Sequence, residues 1–439
     1  MTNSSDATDA AAAARIPKAT AAPVTPEELP ALRRRVHAVL IASQILGGLG
    51  VAIGVALSAV LAKEVSGTEA LAGLAATAAV AGPALLAMPL AALMTARGRR
   101  AGLTLAYLVG AVGAGVVVLG AVVDSFPLLL AGMVGFGGAS SANLQARFAA
   151  ADLAEPERRA RAISTVVWAT TIGAVLGPNI AAPAGKSVAG LGIPAAAGPF
   201  LWAAGVFLVS AVMVAVLLRP DPLLTARALA GPEEAGAAQE RSLKAGLQAV
   251  RESSRARLAL VTVAASHTTM VSIMSMTPVA LGHHGAGIQL IGLVISGHIA
   301  GMYAFSPLMG WLADRVGRLS VIGLAVGLLT GAALLAGTAG PSHAQTAAGL
   351  FVLGLGWSAG LVSGSALLTD SVPQAARAAV QGLSDFTMNT AAGVGGLMAG
   401  LIVAKAGYGW LNAVGACLLL PMAALAVRGA TRKTAPSDA

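Results

Sequence analysis

The sequence predicts an all-α membrane protein with twelve transmembrane helices in two pseudo-symmetric six-helix bundles. The composition, the long apolar segments and an internal repeat predict this fold. Of the 439 residues, 56% are hydrophobic and 11% are charged, with a mean hydropathy of +0.79. A soluble domain carries about 25% charged residues. The chain is therefore expected in the lipid bilayer. Its net charge of +9 is explained by basic residues in the loops that set membrane topology, so no nucleic acid partner is expected.

Twelve apolar segments are long enough to cross a bilayer, which takes about 20 helical residues. Helices are expected because each satisfies its own backbone hydrogen bonds in lipid. The first segment is too long for the apolar part of a cleaved signal peptide, so it is expected to remain as a span. The predicted spans lie at roughly 36–61, 71–94, 101–123, 127–150, 162–183, 197–218, 258–281, 289–312, 320–339, 345–369, 380–404 and 409–428.

The basic residues predict the orientation of the spans. Of the 28 Lys and Arg residues, only Lys63, Lys186 and Lys405 fall in loops on one side. Because basic loops remain in the cytoplasm, both termini are predicted to be cytoplasmic, in a multi-pass protein of the inner (plasma) membrane. The predicted domains are a disordered cytoplasmic tail at 1–32, a six-helix bundle at 33–218, a cytoplasmic linker at 219–257, a second bundle at 258–430 and a cytoplasmic tail at 431–439.

An internal repeat supports the division into halves. The turn glycines Gly98 and Gly317 are 219 residues apart. The segments 152–159 and 370–377 each run from Asp to Arg and are 218 residues apart. Two landmarks with nearly the same offset indicate duplication. Parallel halves of this kind place a transport site between them, near the bilayer midplane.

The segment Gly310-Trp311-Leu312-Ala313-Asp314-Arg315-Val316-Gly317-Arg318 resembles the loop signature G-x-L-A-D-R-x-G-R of the major facilitator superfamily. The resemblance covers about residues 33–430. It implies alternating access, with gating by Asp314, Arg315 and Arg318 at a cytoplasmic turn. The alternative interpretation is that these charged residues only hold the turn on the cytoplasmic side of the membrane and have no role in gating. In the first half, Thr95 and Ala96 replace the Asp and Arg of the signature.

Two further charged residues are assigned to the gate. Arg147 and Asp152 lie at the cytoplasmic end of span four. Arg147 either lines the central cavity of the first half or pairs with Asp152 or the following loop.

Met270 and Met274 in span seven, and His298 and Met302 in span eight, are spaced i, i+4, so each pair shares one helix face. Thioether and imidazole ligands suit Cu(I). The same four residues resemble the M-x-x-x-M and H-x-x-x-M motifs of the CcoA-like copper importers, which implies a copper site. His267 is a further ligand, a proton acceptor or a helix contact. Packing is the alternative role of the methionines.

Other polar residues lie within the predicted spans. Those of the first half are expected to line the substrate cavity, namely Gln44, Asn143, Gln145 and Asn179. Asp385 is the clear acidic residue within the second-half spans. It is either a partner for an arginine or backbone group, or a proton-coupling carboxylate.

The sequence therefore predicts a secondary transporter that imports copper, as Cu(I) or a small copper complex. The alternative is a proton-coupled carrier of a small organic molecule such as a vitamin, metabolite or drug. A membrane sensor or metal-storage protein is disfavoured, because neither needs duplicated halves and a gate. ATP-driven transport is not expected, because the sequence shows no nucleotide-binding loop. An enzyme is not expected, because no hydrolytic constellation stands out. Cys417 is alone, so no disulfide forms within the chain. We expect a monomer without a cofactor, with copper as cargo.

Overall fold

The computed structural model describes residues 25–68, 71–230 and 243–434, which are almost entirely helical. The predicted tails lie outside these residues, apart from 25–32 and 431–434. The helices are α1 (Leu29–Ser66), α2 (Ala72–Val122), α3 (Phe126–Asp152), α4 (Arg159–Ser187), α5 (Gly198–Leu217), α6 (Pro222–Leu229), α7 (Leu243–Glu252), α8 (Ser254–His283), α9 (Ile288–Tyr303), α10 (Ser306–Val316), α11 (Arg318–Gly337), α12 (His343–Asp370), α13 (Arg377–Ala406), α14 (Tyr408–Cys417) and α15 (Leu420–Thr434).

Ten segments of the described residues are long and apolar enough to cross a membrane. One of them, Thr77–Val122, contains two predicted spans, because α2 bends sharply at Gly98. The helix α3 has 27 residues but is not among the ten, since its glycines, serines and polar residues lower its hydropathy. With both arms of α2 and with α3, the described part of the chain has twelve spans, and the predicted fold class is confirmed.

Two of the predicted spans are interrupted helices. Span eight consists of α9 and α10, and span twelve consists of α14 and α15. Pro307 and Pro421 each occupy the second position of the later helix. Proline has no N–H to continue a helix but fits its first turn, so each break falls just before a proline.

The internal repeat is visible in the backbone. In the first half, α3 ends at Asp152, a 3-10 turn follows, and α4 begins at Arg159; in the second, α12 ends at Asp370 and α13 begins after a similar turn. The two turn glycines have positive φ angles, 86° at Gly98 and 97° at Gly317. A side chain is strained in that conformation, so glycine is the residue that allows both turns.

The two halves meet at the end of the molecule that carries most of the arginines. We call this the basic end; it comprises the turns at 97–100, 152–161, 315–318 and 370–377. There α13 packs along the first arm of α2, and α10 packs against α4. Gly310 touches Ser164, and Gly382 touches Ala91, at distances that leave no room for a Cβ atom. Small residues thus let the halves approach closely.

The connection between the halves is itself helical at both of its described ends. Asp221 begins it by accepting hydrogen bonds from the amides of Leu223 and Leu224, at 3.0 and 3.1 Å, and of Arg100, at 2.7 Å. This carboxylate fastens α6 to the turn between spans two and three. On the other side α7 packs against α13. The two described ends of the connection therefore lie at the basic end, one on each half.

Candidate transport site and gate

A buried ion pair joins the halves near the basic end. The Nη2 of Arg147, on α3, lies 2.6 Å from Oδ1 of Asp385, on α13, and both side chains are almost fully buried. The other carboxylate oxygen accepts a hydrogen bond of 2.7 Å from Gln145. Arg147 also donates to Ser365 Oγ and to the carbonyl of Leu144, at 3.2 and 3.0 Å. Asp385 thus has an arginine partner, the first of the two roles that the sequence allows.

A second buried arginine extends this pair into a network. Arg99 donates to both carboxylate oxygens of Asp152, at 2.7 and 3.2 Å, and to Gln145 Oε1, at 3.0 Å. It also donates to Gln381, on α13 of the other half. Gln145 links the two ion pairs, because it accepts from Arg99 and donates to Asp385. The pair predicted as an alternative, between Arg147 and Asp152, is not the one observed.

The network balances its own charges. It contains two arginines, Arg99 and Arg147, and two aspartates, Asp152 and Asp385. A buried charge without a partner costs several kcal/mol, so removal of one member leaves another uncompensated. Because Arg147 and Asp385 lie on different halves, separation of the halves exposes both charges. The pair can therefore hold the basic end shut until water or a proton replaces the lost partner.

Asp314 forms a second connection between the halves at the basic end. Its carboxylate, at the end of α10, accepts hydrogen bonds from the backbone amides of Ala160 and Arg161, at 3.1 and 2.9 Å. These amides belong to the first turn of α4, whose positive dipole end favours a carboxylate. Arg318 lies 3.1 Å from the same carboxylate. Asp314 therefore connects the two halves, and Arg318 is its ion-pair partner; their gating role stays a prediction.

Asp370 links Arg318, a predicted gate residue, to Arg159 of the first half. Its carboxylate lies 2.5 Å from Arg159 and 3.2 Å from Arg318. Arg318 also donates to the carbonyl of Pro156, at 2.5 Å. Arg315 instead lies over the ring of Trp311, with 5.3 Å between its Cζ and the ring centroid. The structure thus connects Arg318 to the gate and places Arg315 on an exposed face of α10.

The two repeats close the basic end with different chemistry. Thr95 occupies the position that Asp314 has in the second repeat, and its hydroxyl donates to Ala91 of its own helix at 2.8 Å. The first turn of α13 therefore receives no carboxylate from α2. Arg99 and Arg318, in contrast, are equivalent in the two repeats. Each follows its turn glycine at the start of one span and contacts the aspartate that ends the next span.

An aromatic cluster lies beside the buried ion pair. Trp357 Nε1, on α12, donates to Nδ1 of His267, on α8, at 2.9 Å. The ring of Tyr303 stands edge-on to Trp357, with 5.5 Å between centroids. Arg147, of the other half, donates to Ser365 on α12, the helix that carries Trp357. Imidazole, indole and phenol groups thus come together in the second half, on a helix that also binds a guanidinium group of the first half.

His298 has one ring nitrogen bound and the other free. Its Nδ1 lies 2.7 Å from the carbonyl of Leu350, so Nδ1 is the atom that carries the proton and donates. Its Nε2 is buried without a hydrogen-bond partner among the described residues. A backbone carbonyl on one nitrogen and a lone pair on the other is the arrangement that metal-binding histidines use. A hydrogen-bond donor group of an organic substrate would also bind this lone pair on Nε2.

The predicted copper ligands lie on two helices, α8 and α9, that both pack against α12. Met270 and Met302 are buried, and Met274 is half-buried. The helix α12 packs against both α8 and α9, whereas α8 and α9 touch each other at few positions. His298 and Met302 face α12, where their backbone touches Gly354. The predicted copper site of methionine and histidine ligands therefore stays a prediction.

The predicted cavity residues separate into three environments. Gln44 donates to Thr170 at 2.7 Å, and Asn143 accepts from Tyr107 at 3.0 Å, so both are fixed within the first half. Asn179 is exposed and donates to the carbonyl of its own helix at Val175, at 2.7 Å. The fourth residue, Gln145, belongs to the buried network at the gate.

Sequence reasoning did not assign a role to three residues of this region. Arg99 lies in the first-half copy of the loop signature, and its position after the turn glycine could have identified it as the equivalent of Arg318. No comparable sequence motif identifies Gln381 and Trp357, because a glutamine or a tryptophan within a span is compatible with many roles. Only their long-range contacts reveal them.

Comparison with known proteins decides the family. The family model of the Major Facilitator Superfamily matches residues 39–285 and 258–439. The chain belongs to the Major Facilitator Superfamily. The superfamily consists of transporters, so the chain is a multi-pass membrane transporter and not an enzyme, as its sequence predicts.

Other superfamily members show how far the similarity extends. The chain is 37% identical over 398 residues to YdeG of Bacillus subtilis (strain 168), an uncharacterized MFS-type transporter, covering 90% of this chain and 92% of that protein. It is 28% identical over 393 residues to the riboflavin transporter RfnT of Brucella anthropi, covering 89% and 94%. Among solved structures, the human organic anion transporter MFSD10 superposes with a TM-score of 0.70 at 20% identity, covering 90% and 99%.

Proposed function

We propose that this superfamily member is a secondary active transporter of a small organic molecule with a flat unsaturated ring, such as a flavin. The carrying observation is the cluster of His267, Trp357 and Tyr303, which shares the helix α12 with a contact of Arg147. Aromatic faces bind ring systems by stacking, and a few convergent polar groups fix their orientation. The 28% identity to a riboflavin transporter supports this substrate class.

We further propose that the protein alternates between open states around this cluster. The contacts of Arg147, Asp314 and Asp370 close the basic end. With the predicted orientation, in which both termini are cytoplasmic, the described conformation is closed to the cytoplasm. Protonation of Asp385 would release Arg147, so this carboxylate is the candidate for proton coupling. The protein would act as a monomer in the plasma membrane, without a cofactor.

Copper, as Cu(I) or a small complex, is the second candidate cargo. The buried lone pair on Nε2 of His298 favours it, because the carbonyl of Leu350 fixes the tautomer that ligates metal. Met302 lies one helical turn further along the same face. None of the compared transporters named above is a copper carrier by name, so the organic substrate is the leading proposal.

Parallel uptake measurements separate the two cargoes. Cells that express the protein, and cells with an empty vector, would receive radiolabelled riboflavin or radiolabelled copper. We expect riboflavin accumulation several-fold above the vector and no change in copper. Trp357→Phe should reduce riboflavin uptake, because it removes the indole donor to His267. Trp410→Phe is the matched control, since Trp410 is 64% exposed.

If the cells accumulate copper but no riboflavin, copper becomes the leading proposal for the cargo. A panel of other ring systems, including pteridines, purines and aromatic acids, tests the substrate class itself. Each would be added to the purified protein while its melting temperature is measured. The organic-substrate proposal fails if no ring compound shifts the melting temperature and Trp357→Phe transports as the parent does.

A further inference from the structure

A groove between α1 and α4 opens at the basic end of the first half, with a volume of about 490 Å³. It is separate from the aromatic cluster and from the ion pairs that join the halves. Its mouth is strongly cationic. The charged and ionisable residues that line it are Arg33, Arg34, His37, Glu155, Arg158 and Arg161.

The positive charge of this groove is only partly neutralised. Glu155 lies 2.7 Å from Arg33 and 3.7 Å from Arg158. The guanidinium groups of Arg34 and Arg161 are exposed and have no hydrogen-bond or ion-pair partner among the described residues. Four arginines and one glutamate leave a net charge of about +3 with neutral His37. The mouth therefore favours an anion with several acceptor oxygens.

The deeper wall of the groove is apolar. Ile41 on α1 and Ala162 on α4 line it, together with small residues of α3 and its following turn. The predicted spans begin at residues 36 and 162, so the arginines lie at the predicted membrane boundary and Ile41 lies within the hydrocarbon region. His37 and Thr165, 2.8 Å apart, join α1 to α4 on this wall. A ligand that fills the groove has an anionic head and an apolar tail.

We propose that this groove is a binding site for an anionic phospholipid. Arg34 and Arg161 bind the phosphate, and an acyl chain lies along Ile41 and Ala162. Basic pockets between spans on the cytoplasmic side of membrane proteins are known to hold such head groups. A free phosphate would leave the apolar wall uncovered, which is why the lipid is the ligand proposed.

The site also adjoins the gate. The backbone amide of Arg161 is one of the two that Asp314 binds across the halves. A phosphate held by the Arg161 side chain therefore stabilises the first turn of α4, to which the gate is attached. The bound lipid should raise the melting temperature of the protein in this conformation.

The test is native mass spectrometry of the full-length protein in detergent, titrated with phosphatidylglycerol or phosphatidylcholine. The informative variant is Arg34→Gln with Arg161→Gln. Its matched control is Arg251→Gln with Arg255→Gln, which removes equal charge from exposed positions outside the groove. Each basic residue near an anionic lipid surface strengthens binding on the order of fivefold, so the groove variant should bind phosphatidylglycerol about tenfold more weakly or worse. The control should bind as the parent does.

Three results would overturn the proposal. The first is equal binding of phosphatidylglycerol and phosphatidylcholine to the parent protein. The second is equal loss of binding in both variants, which would mean a diffuse charge effect. The third is competition by glycerol phosphate at concentrations near that of the lipid, which would mean a small-anion site. If the double variant unfolds, Arg34→Gln alone replaces it, because Arg34 is exposed and its side chain contacts no other described group.

Discussion

Arg147 and Asp385 form an ion pair of 2.6 Å between residues 238 positions apart in the chain, one on each half of the transporter. Gln145 binds the second oxygen of Asp385 and also accepts from Arg99, so four charges share one buried network. Arg147 also donates to Ser365 on α12, the helix that carries Trp357, which is proposed to bind substrate. The position of the pair allows the gate and the substrate site to affect each other.

Asp385→Asn should abolish transport and destabilise the closed conformation. It leaves Arg147 buried without a counter-charge, and loss of one member of a buried pair costs about 3–5 kcal/mol. Melting of the purified variant and uptake into cells measure the two effects. The double change Arg147→Gln with Asp385→Asn should recover part of the stability but not the transport. Full transport by Asp385→Asn would show that the carboxylate has no role in the cycle.

Asp314→Ala should lower transport while the protein remains folded in the membrane. The change removes the acceptor of the Ala160 and Arg161 amides and one contact of Arg318. A helix cap of this kind contributes about 1–2 kcal/mol, so the ratio of closed to open protein should fall by about 5- to 30-fold. Labelling of a cysteine placed on the basic end measures its opening. Arg315→Gln is the control and should label as the parent does, because Arg315 contacts Trp311 and not the other half.

Thr95→Asp should strengthen closure in the first repeat. It places a carboxylate where the second repeat has Asp314, opposite the free amides at the start of α13. We expect a higher melting temperature, slower transport and less cysteine labelling at the basic end. Thr95→Val keeps the shape of the side chain without a charge and should show none of these gains. Faster transport by Thr95→Asp would contradict the equivalence of the two repeats.

Met270→Leu, Met274→Leu and Met302→Leu distinguish packing from metal binding. Leucine keeps the volume and apolarity of methionine and removes the sulfur. With an organic substrate, all three variants should retain most of their uptake. With copper as cargo, each should sharply lower copper accumulation, as should His298→Ala. Met276→Leu is the control in both cases, because Met276 lies off the predicted ligand face. Loss of organic uptake in every methionine variant would contradict the packing role.

The distribution of basic residues predicts that the basic end is cytoplasmic. Reporter fusions at residues 30 and 435 should be active when the reporter functions in the cytoplasm. Fusions at Gly285 and Gly340, in turns at the opposite end, should be active when the reporter functions outside. An inverted pattern would mean that the closed basic end faces the outside.

Much of the fold follows from the sequence. Apolar segments of sufficient length, the glycines at 98 and 317, and the Asp-to-Arg segments at 152–159 and 370–377 predict the spans, the turns and the duplication. These features are local, because hydropathy and turn conformation depend on neighbouring residues. The loop signature likewise predicts a gate at Asp314, Arg315 and Arg318; in the structure Asp314 and Arg318 contact the first half or its partners, whereas Arg315 lies over Trp311, and the gating role stays a prediction.

By itself, then, the sequence determined that the chain crosses the membrane as two repeated sets of six helices and belongs among the major facilitator transporters. Only the tertiary structure decided which partners its buried polar groups have. Arg147 pairs with Asp385 rather than Asp152, Arg99 joins the network, and His298 binds a carbonyl of α12. A buried charge must find a partner wherever the packing of distant helices provides one, and that choice depends on contacts that no local pattern encodes.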